Sequence, residues 1–367
     1  MRNRSHLSPA VTQAFLLAAI VIASVGVAPS ALAQSQQIVA TVRVGSGPAG
    51  VAYDPAKGEV FVTDLLNDSV SVISDATNAV VATVKVGSHP AGAAYDPSKG
   101  DVFVTNAFDN TTSVISDSSD AVVATVKVGG GPTGVAYDPA RGEAFVANYL
   151  GDTVSVISDS TNALVATVNV GRYPYAPIYD AAKGEIFVTN ALDNTTSVIA
   201  EATNAVVATV GVGSGPTGGV YDPARGEVFV ADFLASTLSV ISDETNRVVA
   251  TVNVGTNPTG VAYDSTNDQI LVTNAANNTV SVVSDSTNAV VATVSVGRDP
   301  SGVDYDSAKG EVFVANNGDN TVSIISSSSS TSSTAPEFPA ASLPVVALAV
   351  VATIAFASRR ILPERQG

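Results

Sequence analysis

The chain of 367 residues contains no cysteine and no tryptophan, and its only histidines are His6 and His89. The absence of cysteine excludes disulfides, thiolate metal sites, thiol nucleophiles and haem attached through cysteine. Because His89 stands alone in a loop, a Ser-His-Asp triad is not expected. We interpret His89 as a surface residue, and we predict neither a catalytic nor a metal site.

Runs of lysine or arginine are also missing. Residues 34–335 contain 12 Lys/Arg and 31 Asp/Glu, a net charge of −19. Such an acidic chain is a poor partner for nucleic acid and for anionic lipid, and its field attracts cations.

The N-terminal segment has the order of a secretory signal. Arg2 and Arg4 precede an apolar run at 14–28, and small residues follow up to Ala33. The order predicts a signal peptide at 1–33, cleaved between Ala33 and Gln34. An uncleaved N-terminal anchor is the alternative.

The C-terminal segment carries a long apolar run. Residues 340–358 contain no charge and are followed at once by Arg359 and Arg360. About 20 apolar residues can cross a bilayer as a helix, and basic residues favour a cytoplasmic end. We therefore predict a transmembrane helix at 340–358, a basic cytoplasmic tail at 359–367 and a Ser/Thr-rich linker at 328–339. A buried core helix is the alternative.

A unit of 42 residues repeats seven times without insertion or deletion. One position is always tyrosine, at Tyr53, Tyr95, Tyr137, Tyr179, Tyr221, Tyr263 and Tyr305. A second position is nearly always phenylalanine, at Phe61, Phe103, Phe145, Phe187, Phe229, Leu271 and Phe313. A repeat of this length indicates a solenoid, a propeller or an array.

Each unit contains four short runs of strand-forming residues separated by turn residues. In the first unit the runs are Gly50–Tyr53, Glu59–Thr63, Ser69–Ser74 and Ala79–Val86. Four strands in about 40 residues is typical of one propeller blade. The strands are apolar on both faces, as expected for blades that pack on both sides. The sequence predicts an all-β, seven-bladed β-propeller over residues 34–327. A β-solenoid is the alternative, although its coils are normally shorter.

The phase of the repeat predicts how the ring closes. The first run, Ile38–Val44, matches the fourth strand of a unit, and the last unit stops after its third strand, Ile324–Ser326. The N-terminal strand is therefore expected to complete the last blade, which leaves no open edge between the first and last blades.

The repeat resembles the YVTN family of β-propellers, which are common in archaeal and bacterial cell-surface proteins. The resemblance rests on 103–106 (Phe-Val-Thr-Asn), 112–115, 122–126 and 131–135, with phenylalanine where the family usually has tyrosine. The tail is similar to the PEF-type sorting signals of archaea, through Pro336, Glu337 and Phe338 before the apolar span. These resemblances imply a cell-surface protein whose tail a sortase-like enzyme removes, with a plain membrane anchor as the alternative.

Several repeated polar residues are candidates for chemistry or modification. An aspartate follows the tyrosine in every unit, and we expect it to hydrogen-bond its own turn, because seven equivalent turns offer no special site. Four asparagines stand in Asn-x-Ser/Thr sequons and are candidate glycosylation sites in an exported chain: Asn67, Asn110, Asn194 and Asn277.

Two further features concern the loops. Leu66, Phe108, Leu150, Leu192 and Leu234 share one repeat position, which predicts either an apolar binding arc or, as we favour, caps over the gaps between blades. The fourth unit breaks the repeat most clearly. Arg172, Tyr173 and Tyr175 there form a candidate ligand loop near the channel mouth, suited to a sugar or a peptide.

These observations favour a non-catalytic cell-surface propeller for adhesion, interaction or surface-layer structure, tethered at the extracellular face of the membrane. No cofactor is expected. Cell-surface proteins, glycans or further copies of the chain would be its partners. The alternative is a ligand-binding receptor or a propeller enzyme that uses the divergent loop.

Overall fold

The structure, a computed structural model, describes residues 36–326, which form 28 strands in seven four-stranded antiparallel sheets. The predicted all-β seven-bladed propeller is confirmed. No helix in this part of the chain is long and apolar enough to cross a membrane. The predicted span at 340–358 lies outside the described residues.

The strands are numbered in chain order and fall into four positions in each blade. The innermost strands are β2 (Pro48–Asp54), β6 (Pro90–Asp96), β10 (Pro132–Asp138), β14 (Pro174–Asp180), β18 (Pro216–Asp222), β22 (Pro258–Asp264) and β26 (Pro300–Asp306). The second strands are β3 (Glu59–Asp64), β7 (Asp101–Asn106), β11 (Glu143–Asn148), β15 (Glu185–Asn190), β19 (Glu227–Asp232), β23 (Gln269–Asn274) and β27 (Glu311–Asn316).

The outer half of each blade is equally regular. The third strands are β4 (Ser69–Ser74), β8 (Thr111–Ser116), β12 (Thr153–Ser158), β16 (Thr195–Ala200), β20 (Thr237–Ser242), β24 (Thr279–Ser284) and β28 (Thr321–Ser326). The outermost strands are β5 (Ala79–Lys85), β9 (Ala121–Lys127), β13 (Ala163–Asn169), β17 (Ala205–Gly211), β21 (Arg247–Asn253), β25 (Ala289–Ser295) and, for the last blade, β1 (Gln37–Arg43).

The ring closes as the repeat phase predicts. β1 pairs antiparallel with β28, with Thr41 opposite Ser323 and a bulge near Ile38. The splice gives the last blade its fourth strand from the other end of the described chain, so β28 has no open edge.

The hydrophobic core lies between blades. The phenylalanines of the second strands have no exposed surface, and each hydrophobic cluster draws on two neighbouring blades. Phe61 and Val72 of the first blade, for example, pack with Val102 and Val104 of the second. Burying one such side chain stabilises the fold by about 1.5–3 kcal/mol. This two-sided packing explains why the strands are apolar on both faces.

The aspartate that ends each innermost strand shapes its own turn, as expected. The Asp54 carboxylate accepts hydrogen bonds from the backbone N–H groups of Ala56, at 2.8 Å, and Lys57, at 3.3 Å. The Ala56 contact has an equivalent in each of the other six blades. The structural role that we favoured for these acids is confirmed.

A closed ring of hydroxyl groups joins the innermost strands. In each blade a threonine or serine hydroxyl donates to a backbone carbonyl on the innermost strand of the next blade. The seven bonds run from Thr63 to Ala91, Thr105 to Thr133, Thr133 to Tyr175, Thr189 to Thr217, Thr217 to Thr259, Thr273 to Ser301 and Ser301 to Ala49.

The hydroxyl of this ring comes from either of two positions. Four blades supply it from the second strand, as at Thr63. Where the second strand has alanine instead, at Ala147, Ala231 and Ala315, the innermost strand supplies it from Thr133, Thr217 or Ser301. The exchange keeps every one of these carbonyls bonded, which indicates that the contact matters to blade docking.

Candidate functional site

The candidate site lies on one face of the ring, which we call the mouth face. In each blade the innermost strand begins at the end of the sheet at which the second strand ends. The loop before the innermost strand and the loop after the second strand therefore meet at that end. In the first blade the N–H groups of Leu65 and Leu66 donate to the carbonyls of Gly47 and Ser46, at 3.0 Å each. The mouth face therefore combines the loop before each innermost strand with the loop between the second and third strands.

A cavity of about 510 Å³ lies at the centre of the mouth face, where the innermost strands meet. Glycines of six blades form its floor: Gly50, Gly92, Gly134, Gly218, Gly260 and Gly302. A Cβ on Gly50 would lie 2.5 Å from the carbonyl oxygen of Ala91, and one on Gly134 would lie 2.6 Å from that of Tyr175. Glycine relieves this crowding in six blades, whereas the fourth blade has Ala176 at the same position.

The wall of the cavity is apolar and one-sided. Its large side chains all come from the first four blades: Leu65, His89, Phe108, Tyr149, Leu150 and Tyr175. The last three blades contribute only glycine, threonine and serine. The seven-fold regularity of the frame is thus broken at the mouth.

Two stacked aromatic pairs stand at this wall. His89 stacks on Phe108 with ring centroids 4.2 Å apart, and Tyr173 stacks on Tyr149 at 4.5 Å. Both His89 and Tyr173 have a positive φ, 58° and 56°. Left-handed backbone costs an ordinary residue roughly 1–2 kcal/mol. Three other blades place glycine at the equivalent position (Gly47, Gly131 and Gly215), so the sequence accepts strain here to keep two aromatic rings.

The structure separates the three residues of the candidate ligand loop. Tyr175 lines the cavity with 37% of its surface exposed, and partial desolvation of its phenol, with a smaller effect from Tyr149, raises its pKa. Tyr173 supports the wall through Tyr149. Arg172 is instead bound to Asp193 through a 2.6 Å ion pair on the surface, and Arg298 makes the same contact with Asp319 in the last blade.

The arc of leucines and phenylalanine is more exposed than expected. Phe108 and Leu150 are 73% and 71% exposed, and Leu66 and Leu234 are 70% exposed. Our favoured interpretation, that these side chains cap the gaps between blades, is wrong, because a cap would be covered by its neighbours. Phe108 and Leu150 line the cavity, whereas Leu66 and Leu234 are not among its lining residues.

Sequence reasoning missed one residue of the central channel. Asp304 lies in β26 where the other innermost strands have Ala52, Ala94, Ala136, Ile178, Val220 and Ala262. Its carboxylate accepts the backbone N–H groups of Tyr53, on the adjacent strand β2, and of Tyr305, both at 2.8 Å. Burial raises the pKa of Asp304 to about 6. Alignment of the seven units by repeat position would have revealed it.

His89, which we interpreted as a surface residue, is half-buried at the mouth, where it lines the cavity and stacks on Phe108, a role that sequence reasoning did not predict. The signal was its position, which corresponds to glycine in three other units. A residue that replaces glycine at a left-handed position is a useful indicator of function.

The four sequon asparagines, Asn67, Asn110, Asn194 and Asn277, have exposed side chains in loops of the mouth face. Exposure satisfies the geometric requirement for glycosylation, which stays a prediction. The signal cleavage at Ala33 and Gln34 and the sorting motif Pro336, Glu337 and Phe338 lie outside the described residues.

A second, larger cavity of about 950 Å³ is lined largely by charged and amide side chains. Its polar groups already bond to one another, as in the 3.4 Å ion pair of Arg225 with Asp285 and the 2.8 Å hydrogen bond from Gln36 to Gln269. Within residues 36–326 no group of three or more histidines and acids is placed to hold a metal ion. The mouth cavity is the better candidate because its apolar wall remains exposed.

Comparison with known proteins identifies the fold alone. The chain matches no protein-family model, and none of the curated proteins compared with it is similar. Among solved structures it is similar to a chain of hydrazine synthase from Kuenenia stuttgartiensis, with a TM-score of 0.69 and 20% sequence identity over 76% of this chain and 95% of that one.

This similarity corrects the functional prediction. We took the regular repeat to favour a non-catalytic protein for adhesion or surface-layer structure. The prediction is wrong, because a chain with the same fold belongs to a protein named as a synthase. A propeller fold is therefore no argument against chemistry, and function has to be argued from the side chains of this chain.

Proposed function

We propose that this protein is a ligand-binding propeller that holds a small, flat, largely apolar molecule in the cavity at the mouth of its central channel. The observation that carries the proposal is the one-sided wall of exposed Leu150, Phe108 and Tyr175 above a glycine floor. Exposed apolar groups clustered in a concavity commonly mark a binding site.

The shape of the cavity favours a flat ligand. Its volume of about 510 Å³ lies within the range of small-molecule sites. The His89 and Phe108 rings are parallel to within 2°, so they offer a planar surface for stacking. The strain at His89 and Tyr173 supports the same conclusion, because aromatic rings are retained there at a cost to stability.

Export is a further part of the proposal. The charged, apolar and small-residue order of 1–33 and the apolar run at 340–358 support a location on the outer face of the membrane. The resemblance to YVTN propellers and to PEF-type tails supports the same location. A ligand would then reach the mouth cavity from outside the cell.

A matched pair of leucine substitutions tests the cavity. Leu150 and Leu234 occupy the same repeat position, have nearly equal exposure and pack on a left-handed glycine, but only Leu150 lines the cavity. The probe is 1-naphthalenemethanol, whose fluorescence reports binding to the full-length protein. Leu150→Ala should weaken binding about tenfold through lost apolar contact, and Leu234→Ala should leave it within about twofold.

Equal affinities of the two variants would place the probe elsewhere on the surface and contradict the proposal. The absence of any saturable binding to the unaltered protein would contradict it as well. Thermal unfolding of both variants controls for damage to the loop, since the two truncations remove the same atoms from the same repeat position, where each leucine packs on a left-handed glycine.

A further inference from the structure

The most unusual charged group of the ring is Asp304, which lies deeper along the channel than the mouth cavity. Gly302 forms part of the cavity floor, and Asp304 follows two residues later on the same strand. A strand rises about 3.3 Å per residue, so the Cα of Asp304 lies about 7 Å further along the strand than the Cα of Gly302. It borders the channel, since it accepts the N–H of Tyr53 on the side of β2 away from its partner strand β3.

No positive charge of the innermost strands faces this carboxylate. None of the seven innermost strands (β2, β6, β10, β14, β18, β22 and β26) contains lysine, arginine or histidine. Within residues 36–326, Asp304 makes no ion pair with a basic side chain. Its two hydrogen bonds come from backbone N–H groups, which leave a net negative charge beside the channel.

The other titratable groups on the strands packed around Asp304 are acids and phenols. They are Tyr305 and Asp306 on its own strand β26, Tyr53 and Asp54 on β2, Tyr263 and Asp264 on β22, and Glu311 on β27. Asp306 adds a repulsive charge, and burial raises the pKa values of Tyr53, Tyr263 and Glu311. None of these groups carries a positive charge, and Lys309, on the turn after β26, is held in a 3.1 Å ion pair with Asp75. A cation that pairs with Asp304 would therefore come from solution.

We infer that Asp304 is the recognition site for an ammonium group, and that the ligand of the mouth cavity is a flat apolar molecule carrying a protonated amine. The inference rests on the proposed ligand binding and adds the chemical class of the ligand. The apolar body would occupy the wall of Phe108 and Leu150, while the amine would extend along the channel to Asp304. An anionic or neutral analogue lacks this second contact.

Two probes of the same shape test the inference. 3-(1-Naphthyl)propylamine is a cation at neutral pH, and its three-carbon chain lets the amine extend below the floor while the rings stay at the wall. 3-(1-Naphthyl)propan-1-ol is its neutral counterpart. Binding of each to the full-length protein is measured at pH 7.5. The unaltered protein should bind the amine about tenfold more tightly. At pH 4.5, below the pKa of about 6, Asp304 is protonated while the amine stays charged, so the preference should fall nearly to one.

Charge-matched variants separate Asp304 from the general acidity of the chain. Asp304→Asn should abolish the preference for the amine, and Asp304→Ala, which installs the residue found in four other blades, should do the same if the first variant folds poorly. Asp299→Asn removes an equal charge from an exposed loop of the same blade and should keep the preference.

Each outcome has a distinct meaning. Equal binding of the two probes to the unaltered protein, with the Leu150 effect intact, would overturn the ammonium site and leave the proposed function standing. A preference that survives in both Asp304 variants, or one that Asp299→Asn abolishes, would overturn it too. If neither probe binds, both the inference and the proposed function are wrong.

Discussion

At the scale of single residues, Asp304 should leave a signature in the pH dependence of stability. Its pKa is raised from 3.8 to about 6 in the folded protein. The folded state therefore holds this proton more tightly than the unfolded state does. The resulting stabilisation is complete below pH 3.8 and is lost as the pH rises through 6, at up to about 3 kcal/mol.

Substitution by the alanine of the other blades should remove this slope. Urea unfolding of Asp304→Ala and of the unaltered protein at pH 4, 5, 6 and 7 gives the free energy of unfolding of each. The variant should gain stability relative to the unaltered protein as the pH rises, and the gain should level off above pH 7. A difference that is constant with pH would show that Asp304 titrates normally.

The hydroxyl ring supports a second prediction at this scale. Thr63→Val deprives the Ala91 carbonyl of its donor and the Gly50 N–H of its acceptor. We expect a loss of about 1–3 kcal/mol in the free energy of unfolding, because both groups are left unsatisfied. Thermal or urea unfolding measures it.

The sixth blade provides the control for that substitution. In that blade the Ser301 carbonyl accepts hydrogen bonds from two hydroxyl groups, that of Thr273 at 2.6 Å and that of Thr259 at 3.4 Å. Thr273→Val should therefore cost less than Thr63→Val. An equal or greater cost would mean that the bond to the next blade contributes little.

At the scale of elements, the splice between β1 and β28 explains why the first strand of the described residues can be an outermost strand. β1 has the same exposure pattern as β5, with only Val42 buried among mostly exposed neighbours. We expect its side chains and pairing, rather than its position in the sequence, to set its place in the last blade.

A circularly permuted variant tests this independence. In it residues 37–46 follow Ser326 through a copy of the turn at 75–78, and the chain starts at Gly47. Its free energy of unfolding should lie within about 2 kcal/mol of the unaltered value, since every strand keeps its partners and only loop connections change. A variant that does not fold would show that the splice stabilises the ring through its connectivity.

The elements themselves could be predicted because each unit repeats the same physical pattern. Runs such as Glu59–Thr63 and Ser69–Ser74 match strands β3 and β4 to within one residue. The innermost strand was predicted too short, as Gly50–Tyr53 instead of Pro48–Asp54. The register of its pairing with β3 shifts between Pro48 and Val51. Proline and glycine in this segment have a low strand propensity, which weakens the strand signal in the sequence.

The site was predicted less well, for a related physical reason. The divergent loop pointed to Tyr175, but the importance of His89 depends on a left-handed backbone that only the fold reveals. Arg172 looked available for a ligand, and the structure shows it bound to Asp193. Asp304 was hidden among the aspartates of a repeat in which every unit ends its first strand with an acid.

At the scale of the whole molecule, regularity and function occupy different parts of the ring. Buried phenylalanines, turn aspartates and the hydroxyl ring repeat around the frame and hold blade to blade. The exceptions to the repeat lie near the axis of the ring. The large side chains of the mouth wall come from the first four blades, and Asp304, the only acid at its repeat position, belongs to the last blade. This asymmetry gives an otherwise symmetric channel one preferred orientation for a ligand.

A crystal structure of the full-length protein with 3-(1-naphthyl)propylamine tests this account most directly. The account predicts density for one probe molecule at the mouth, with its rings against Phe108 and Leu150 and its amine nitrogen directed at the Asp304 carboxylate. Density in which the amine points outward to solvent would contradict the ammonium site. Density only on the outer strands or in the cavity beside Arg225, with an empty mouth, would contradict the account as a whole.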